Sequence, residues 1–372
     1  MTEATLMPDE RMVRVHWQDG TTGDFPFLWL RDTCPSAWHP ETQERVLDLL
    51  DVPADIAPEA VAVEDGHLRI DWTGEDGASR FPLDWLRTHR PGARTADPAA
   101  IPPAIWRGNA GAEAIPRARA DAILTDDGAL AAWLRDLKRS GITIVEGLPP
   151  DREGGMAVAR RVGFLRETNF GRTFHVVSKP NPNNSAYTAD ALPLHTDLPN
   201  QELPPGIQFL HCLANEAEGG GSVFADGVAL AEDLRARDPE AFETLATVSI
   251  PFRFHDGSCD IRRRQRVINL DDAGAVSEVC WSGHLAGVLD LPPAEIEPFY
   301  RAYRAFMRLT RDPAYRIELK LSGGEVVVFD NRRVLHGRAA FDPSTGYREL
   351  HGCYVDRGEM DSRMRVLARA GH

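Results

Sequence analysis

Between residues 11 and 90 apolar and polar positions alternate with period two. Val13, Val15 and Trp17 lead to an Asp19-Gly20 turn, and Phe25, Phe27 and Trp29 carry the alternation onward. Val61 and Val63, an Asp65-Gly66 turn, then Leu68, Ile70 and Trp72 repeat the device. Asp-Gly between alternating apolar runs is a hairpin signal, because both residues tolerate the positive φ that a tight turn demands. Residues 1–92 are therefore expected to form a small β-rich N-terminal domain. In "RPGARTADPAAIPPAIWRGNAG" (90–111) the period disappears among prolines, alanines and glycines. Residues 93–118 read as a connector.

The remainder, 119–372, opens on a different period. Leu130, Trp133, Leu134 and Leu137 fall at i, i+3, i+4 and i+7, with Gly141 where a helix would end. Ile296, Phe299, Tyr300, Tyr303, Phe306 and Met307 mark a second amphipathic helix over 293–310. Between them lie short strand-like runs: "ITIVEG", "GIQFLHCL", "GSVFADG", "VSIPFRFHD" and "GGEVVVFDNRRVLHG". Many short strands, glycine turns and few helices predict a mainly β fold with helical cover, a sandwich or barrel.

Charge and cysteine usage narrow the partners. The net charge is −14 over 372 residues, with acidic groups spread along the chain. Polyanions would be repelled, so no nucleic acid and no anionic membrane surface is expected. The acidic start "MTEATLMPDERM" has no apolar core of a leader, and no run is long enough for a membrane span. Five scattered cysteines without a CxxC pair point to reduced thiols and a cytoplasmic address.

The candidate chemistry begins in "ALPLHTDLPN" (191–200), where His195 and Asp197 stand one residue apart. On a strand, i and i+2 share a face, so imidazole and carboxylate would sit side by side. Such a pair is two-thirds of the two-histidine, one-carboxylate triad that holds non-haem Fe(II). An HxD is also what an ordinary polar strand end looks like. A third ligand must come from another strand end, and His336, after a buried strand and an Asp330-Asn331 turn, is the best candidate. Arg348 follows twelve residues later in "GYRELHGCY" and offers a fork for a carboxylate. Ser222 follows the glycine run of "EGGGSVFADG", where backbone can approach a ligand closely. Taken singly, Arg348 is also a surface ion-pair partner for Asp356 or Asp342, and Ser222 a turn residue.

Joined together, "NNSAYTADALPLHTDLPNQELPPGIQFLHCLANEAEGGGSVFADG" and "GGEVVVFDNRRVLHGRAAFDPSTGYRELHGCYVD" resemble the 2-oxoglutarate-dependent dioxygenases of the γ-butyrobetaine hydroxylase branch, within the taurine dioxygenase superfamily. "FLWLRDTCPSAWHPET" resembles that branch's N-terminal accessory domain, so nearly the whole chain is covered. The resemblance implies a double-stranded β-helix (jelly-roll) core with Fe(II) on His195, Asp197 and His336. It implies 2-oxoglutarate as co-substrate, its distal carboxylate on Arg348 and Ser222, with O2 consumed and ascorbate stimulatory. Related halogenases lack the carboxylate ligand, so Asp197 favours hydroxylation.

The branch holds a trimethylammonium group in an aromatic cage, and the matching positions are Phe170, Phe174, Tyr187 and Tyr354; Asn184 matches an asparagine at the substrate's anionic end. Phe170 and Phe174 replace tyrosine and tryptophan, and all four aromatics are also ordinary core residues. A second asparagine stretch of the branch reads "CWSGH" here, with His284 as the replacement, and Arg262, Arg263, Arg264 and Arg266 in "DIRRRQR" form either a solvated face or an anion clamp. The accessory-domain zinc of relatives needs three cysteines and a histidine; only Cys34 remains, with His39 and His89 scattered nearby, so no zinc is expected. That domain would then serve folding or homodimer contacts. The expected reaction is hydroxylation of a small quaternary-ammonium acid, γ-butyrobetaine to L-carnitine first, 2-trimethylaminoethylphosphonate next. Rivals are a sulfonate or aryloxy-acid oxygenase of the superfamily, a zinc hydrolase, and a non-catalytic metal- or ligand-binding protein on the same fold.

Overall fold

The computed structural model describes residues 1–74, 77–178 and 188–372. They divide into two compact units, Met1–Asp97 and Pro98–His372. The first contains two three-stranded antiparallel sheets, Glu3–Met7, Met12–His16 and Thr22–Pro26, and Pro58–Glu64, His67–Trp72 and Ala78–Pro82. Both Asp-Gly turns form; Asp65 and Gly66 have φ of 48° and 73°, the signature of a primed hairpin turn. Val13, Val15, Phe25, Leu68, Ile70 and Phe81 make its core.

One expectation fails here. Phe27 and Trp29 do not continue the strand: Phe27–Thr33 is a helix. Pro26 has no N–H to extend the ladder. The run "FLWL" is apolar throughout and carries no period of its own, and the helix then buries Phe27 and Leu30 three residues apart.

The second unit is a sandwich of two sheets. One has four strands in the order Leu192–His195, Val334–Arg338, Ser222–Asp226 and Ile317–Leu319. The other has six, in the order Arg117–Arg119, Ile142–Glu146, Val326–Asp330, Ile207–Asn215, Arg348–Val355 and Thr173–Val176. Strand alternation sorts the side chains into layers. Leu210, Cys212, Phe224, Val327, Phe329 and Leu350 point between the sheets. Phe209, Val326, Val328 and Val355 face a layer supplied by the helices Asp127–Ser140, Arg152–Val162 and Arg357–Arg369. Val223, Ala225 and Leu335 face the helices Gly227–Arg237, Pro239–Thr247 and Pro293–Arg311. The helix over Leu130–Leu137 ends as its sequence predicts, at Gly141 with φ 76°, and the structure adds Asp126 at its start, accepting from Ala129 N–H. The helical cover is heavier than the sequence pattern indicates: the described residues add five helices, at 120–125, 152–162, 227–237, 239–247 and 357–369.

A buried ion pair ties irregular chain to this frame. Arg333 donates to Asp226 Oδ2 at 2.8 Å and to the Arg139 and Ala104 carbonyls, while Asp226 accepts from the Trp106 N–H. Removing either partner would strand a buried charge at a cost of about 3–5 kcal/mol. Among the described residues no helix is long and apolar enough to cross a membrane.

Candidate active site

His195 and His336 are cross-strand partners on Leu192–His195 and Val334–Arg338, their ring centroids 4.3 Å apart. Asp197 lies past the end of its strand, so strand alternation does not aim its carboxylate as the sequence reading supposed. A bend does. Asn331, fully buried, accepts from the Asp197 N–H at 2.8 Å and donates to the Asp197 carbonyl at 3.1 Å. The next residue, Leu198, takes φ 53°, which a bulky side chain adopts only under constraint. The result still brings the carboxylate beside the imidazoles: ligand atoms of His195, Asp197 and His336 all lie within 4.8 Å of one another.

Protonation suits a cation. His195 Nδ1 is 2.9 Å from the Pro193 carbonyl, a contact that fixes the orientation of the ring. Its Nε2 lies 3.1 Å from Asp197 Oδ1, and His336 Nε2 approaches the same oxygen at 3.6 Å. Burial, reinforced by the nearby His195, pulls His336 down to about 3, leaving it neutral. Burial alone would raise Asp197, but the neighbouring imidazoles and the Tyr354 hydroxyl outweigh it and hold the carboxyl below the ordinary range. Three such donor atoms converging within 4.8 Å fit a divalent metal, and two nitrogens with one oxygen fit iron.

These donors share one cavity with Ser222, Arg348, Phe170, Phe174, Tyr354 and His284. Arg348 is 5% exposed and has no carboxylate partner among the described residues. Asp356 is taken by Arg166, and Asp342 caps Ser344. Burial, with Arg338 nearby, pushes Arg348 down to about 10: an uncompensated cation facing the cavity. The glycine run makes room for this guanidinium. A Cβ on Gly220 would lie 2.9 Å from Arg348 Nε, and the Gly220 carbonyl accepts from that nitrogen at 3.3 Å. Ser222 begins the strand beside it, buried.

Phe174 stacks on Tyr354 with centroids 5.0 Å apart, and Phe170 meets Phe254 edge-on at 5.3 Å. Gly352 lies opposite Phe174 in register, and any Cβ there would collide with the ring. Asn184 and Tyr187 lie outside the described residues. The arginines of 260–266 fall on an exposed hairpin strand, with Arg262 paired to Asp260 and Arg264 to Asp290, as a solvated face would be.

Sequence reasoning missed Phe254, Gln208 and Asn331. Gln208 donates to Asp197 Oδ2 at 2.9 Å. Its signal was present: with His211 it is one of two polar residues in the mainly apolar "GIQFLHCL".

A jelly-roll sandwich with two imidazoles and one carboxylate in its cavity is the architecture of a non-haem iron oxygenase. Residues 107–354 match the model of the taurine catabolism dioxygenase TauD, TfdA family, and residues 4–87 that of the γ-butyrobetaine hydroxylase-like N-terminal domain. The chain belongs to the TauD/TfdA dioxygenase family. It is 42% identical over 362 residues to the γ-butyrobetaine dioxygenase of Pseudomonas sp. (strain AK-1), covering 96% of this chain and 94% of that one. It is 32% identical to the mitochondrial trimethyllysine dioxygenase of Gallus gallus, over 92% of this chain and 83% of that one. In fold it is similar to an asparagine oxygenase crystallised with Fe(II), 3-hydroxyasparagine and succinate, with a TM-score of 0.50 at 18% identity over 63% and 83% of the two chains.

Proposed function

We propose that this dioxygenase hydroxylates a small quaternary-ammonium acid using Fe(II) and 2-oxoglutarate, with γ-butyrobetaine as the first substrate to test. The observation that carries the reading is the single cavity in which three metal donors, a guanidinium with no carboxylate partner among the described residues and an aromatic wall meet. Iron and 2-oxoglutarate, when bound, supply the oxidant for an unactivated C–H bond and release succinate and carbon dioxide.

The chain's own residues set the geometry. His195, Asp197 and His336 would hold the metal through Nε2, Oδ1 and Nε2. Arg348 would pair with the distal carboxylate of 2-oxoglutarate, and the Ser222 hydroxyl would donate to the same group. Phe170, Phe254, Phe174 and Tyr354 form an apolar wall that suits a trimethylammonium head, each good face contributing about 1–2 kcal/mol once desolvated. Water is kept from the reacting carbon by the same wall.

His284 stands at the rim, its ring 4.9 Å from that of His195, and its hydrogen-bonding contacts are long ones to Ser282 Oγ at 3.4 and 3.5 Å. Its side chain is exposed at that rim, where a ring N–H can reach a bound molecule. That donor suits an acidic head, and its replacement of an amide gives 2-trimethylaminoethylphosphonate a place beside the carboxylate.

The test is succinate formation with γ-butyrobetaine, trimethyllysine, 2-trimethylaminoethylphosphonate, taurine and an aryloxyacetate. Stimulation by a trimethylammonium compound is expected, and the order of the first three ranks the acidic heads. Stimulation by taurine or the aryloxy acid alone would remove the cage and leave the chemistry.

A further inference from the structure

Asp197 has two oxygens in unlike surroundings. Oδ1 faces the metal-binding nitrogens of His195 and His336 at 3.1 and 3.6 Å. Oδ2 accepts from Gln208 Nε2 at 2.9 Å and from the Tyr354 hydroxyl at 2.7 Å. Gln208 and Tyr354 are direct partners in the antiparallel register of Ile207–Asn215 and Arg348–Val355. Side chains of such a pair share one face of the sheet, so two neighbouring strands deliver two donors to one oxygen.

The state of Gln208 argues that this arrangement is kept for the site. The residue is 1% exposed, and its Oε1 has no hydrogen-bond partner among the described residues. Turning the amide over would satisfy nothing, because Oε1 would then face a carboxylate. An orphaned buried carbonyl costs stability, and leucine would fit a strand interior better.

We propose that Gln208 and Tyr354 are positioning residues that commit Asp197 Oδ2 to the protein, so that Oδ1 alone is free to ligate the metal. A carboxylate so fixed keeps the remaining coordination positions for co-substrate and oxygen. Tyr354 thereby has a second duty: its ring belongs to the aromatic wall, and its hydroxyl belongs to the metal site. The inference rests on His195, Asp197 and His336 being the metal ligands.

Co(II) titration followed by its visible absorption, on the full-length protein, separates the possibilities without turnover. Tyr354→Phe keeps the ring and removes only the hydroxyl; Gln208→Leu keeps the volume and removes the orphaned carbonyl. Each is expected to weaken Co(II) binding about tenfold, within the 10–100-fold typical of such neighbours, and the double variant more than either. Gln208→Leu is expected to do so without lowering the melting temperature of the metal-free protein. Metal affinity within twofold of the wild type in both variants, with a changed KM for cationic substrate in Tyr354→Phe, would overturn the proposal and return Tyr354 to the cage alone. His195→Ala is the control: unchanged Co(II) binding there would instead overturn the ligand assignment itself.

Discussion

Arg348→Met is expected to raise the KM for 2-oxoglutarate by a factor of about 30 to 3,000, while the metal-free protein melts at a higher temperature than the wild type. The first effect follows from losing a buried, charge-assisted pair with the distal carboxylate, about 2–5 kcal/mol at 1.4 kcal/mol per decade. The second follows from the electrostatics of the empty cavity. Arg348 is buried beside Arg338 and faces no described carboxylate, and its pKa falls to about 10. A base whose folded pKa lies below its unfolded value opposes folding wherever it is charged, which includes neutral pH. Methionine fills the stem's volume and removes that burden. Isothermal titration with 2-oxoglutarate in the presence of metal, and thermal unfolding without either, measure the two halves. A variant that lost stability and kept co-substrate affinity would show Arg348 to be a structural residue.

His195→Ala is expected to have the largest effect on the metal. It removes one of three donors and also the contact that helps hold Asp197 ionised. Fe(II) and Co(II) affinity should fall by more than the roughly 10–100-fold that follows loss of a neighbour hydrogen-bonded to a ligand, and 2-oxoglutarate turnover should fall with it. The metal-free fold should persist, because His195 sits at a strand end, outside the apolar layers on either side of its sheet. Equilibrium dialysis gives the affinity, and circular dichroism the fold. Retained metal binding would place the ion elsewhere and favour a binding protein over an enzyme.

The candidate site was legible because its chemistry is concentrated in unusual residue types at strand ends. His195, Asp197, His336 and Arg348 each break an apolar or glycine-rich context, and the cavity gathers all four. What escaped was whatever depends on partners far along the chain. Asn331 read as a turn residue, since nothing local shows that its amide clips Asp197 across 134 residues. Gln208 is an isolated polar residue until Asp197 is folded against it. The helix Gly227–Arg237 escaped for a different reason: Val228, Ala229, Leu230, Ala231 and Leu234 are all buried, so no polar face gives it a period. Its neighbour left a start signal, Asp238 before Pro239, with Asp238 accepting from Ala241 N–H. In the N-terminal unit, four apolar residues in a row let a strand reading run into a helix.

The protein should hydroxylate a quaternary-ammonium acid in a reaction coupled to 2-oxoglutarate. The most direct test is to incubate the iron-loaded protein with γ-butyrobetaine under labelled dioxygen, then quantify succinate and hydroxylated product by mass spectrometry. Equal amounts of the two, one labelled oxygen atom in each and neither formed without γ-butyrobetaine beyond a slow background, are the predicted result. Succinate released at the same rate with or without the substrate, and no hydroxylated acid, would contradict it.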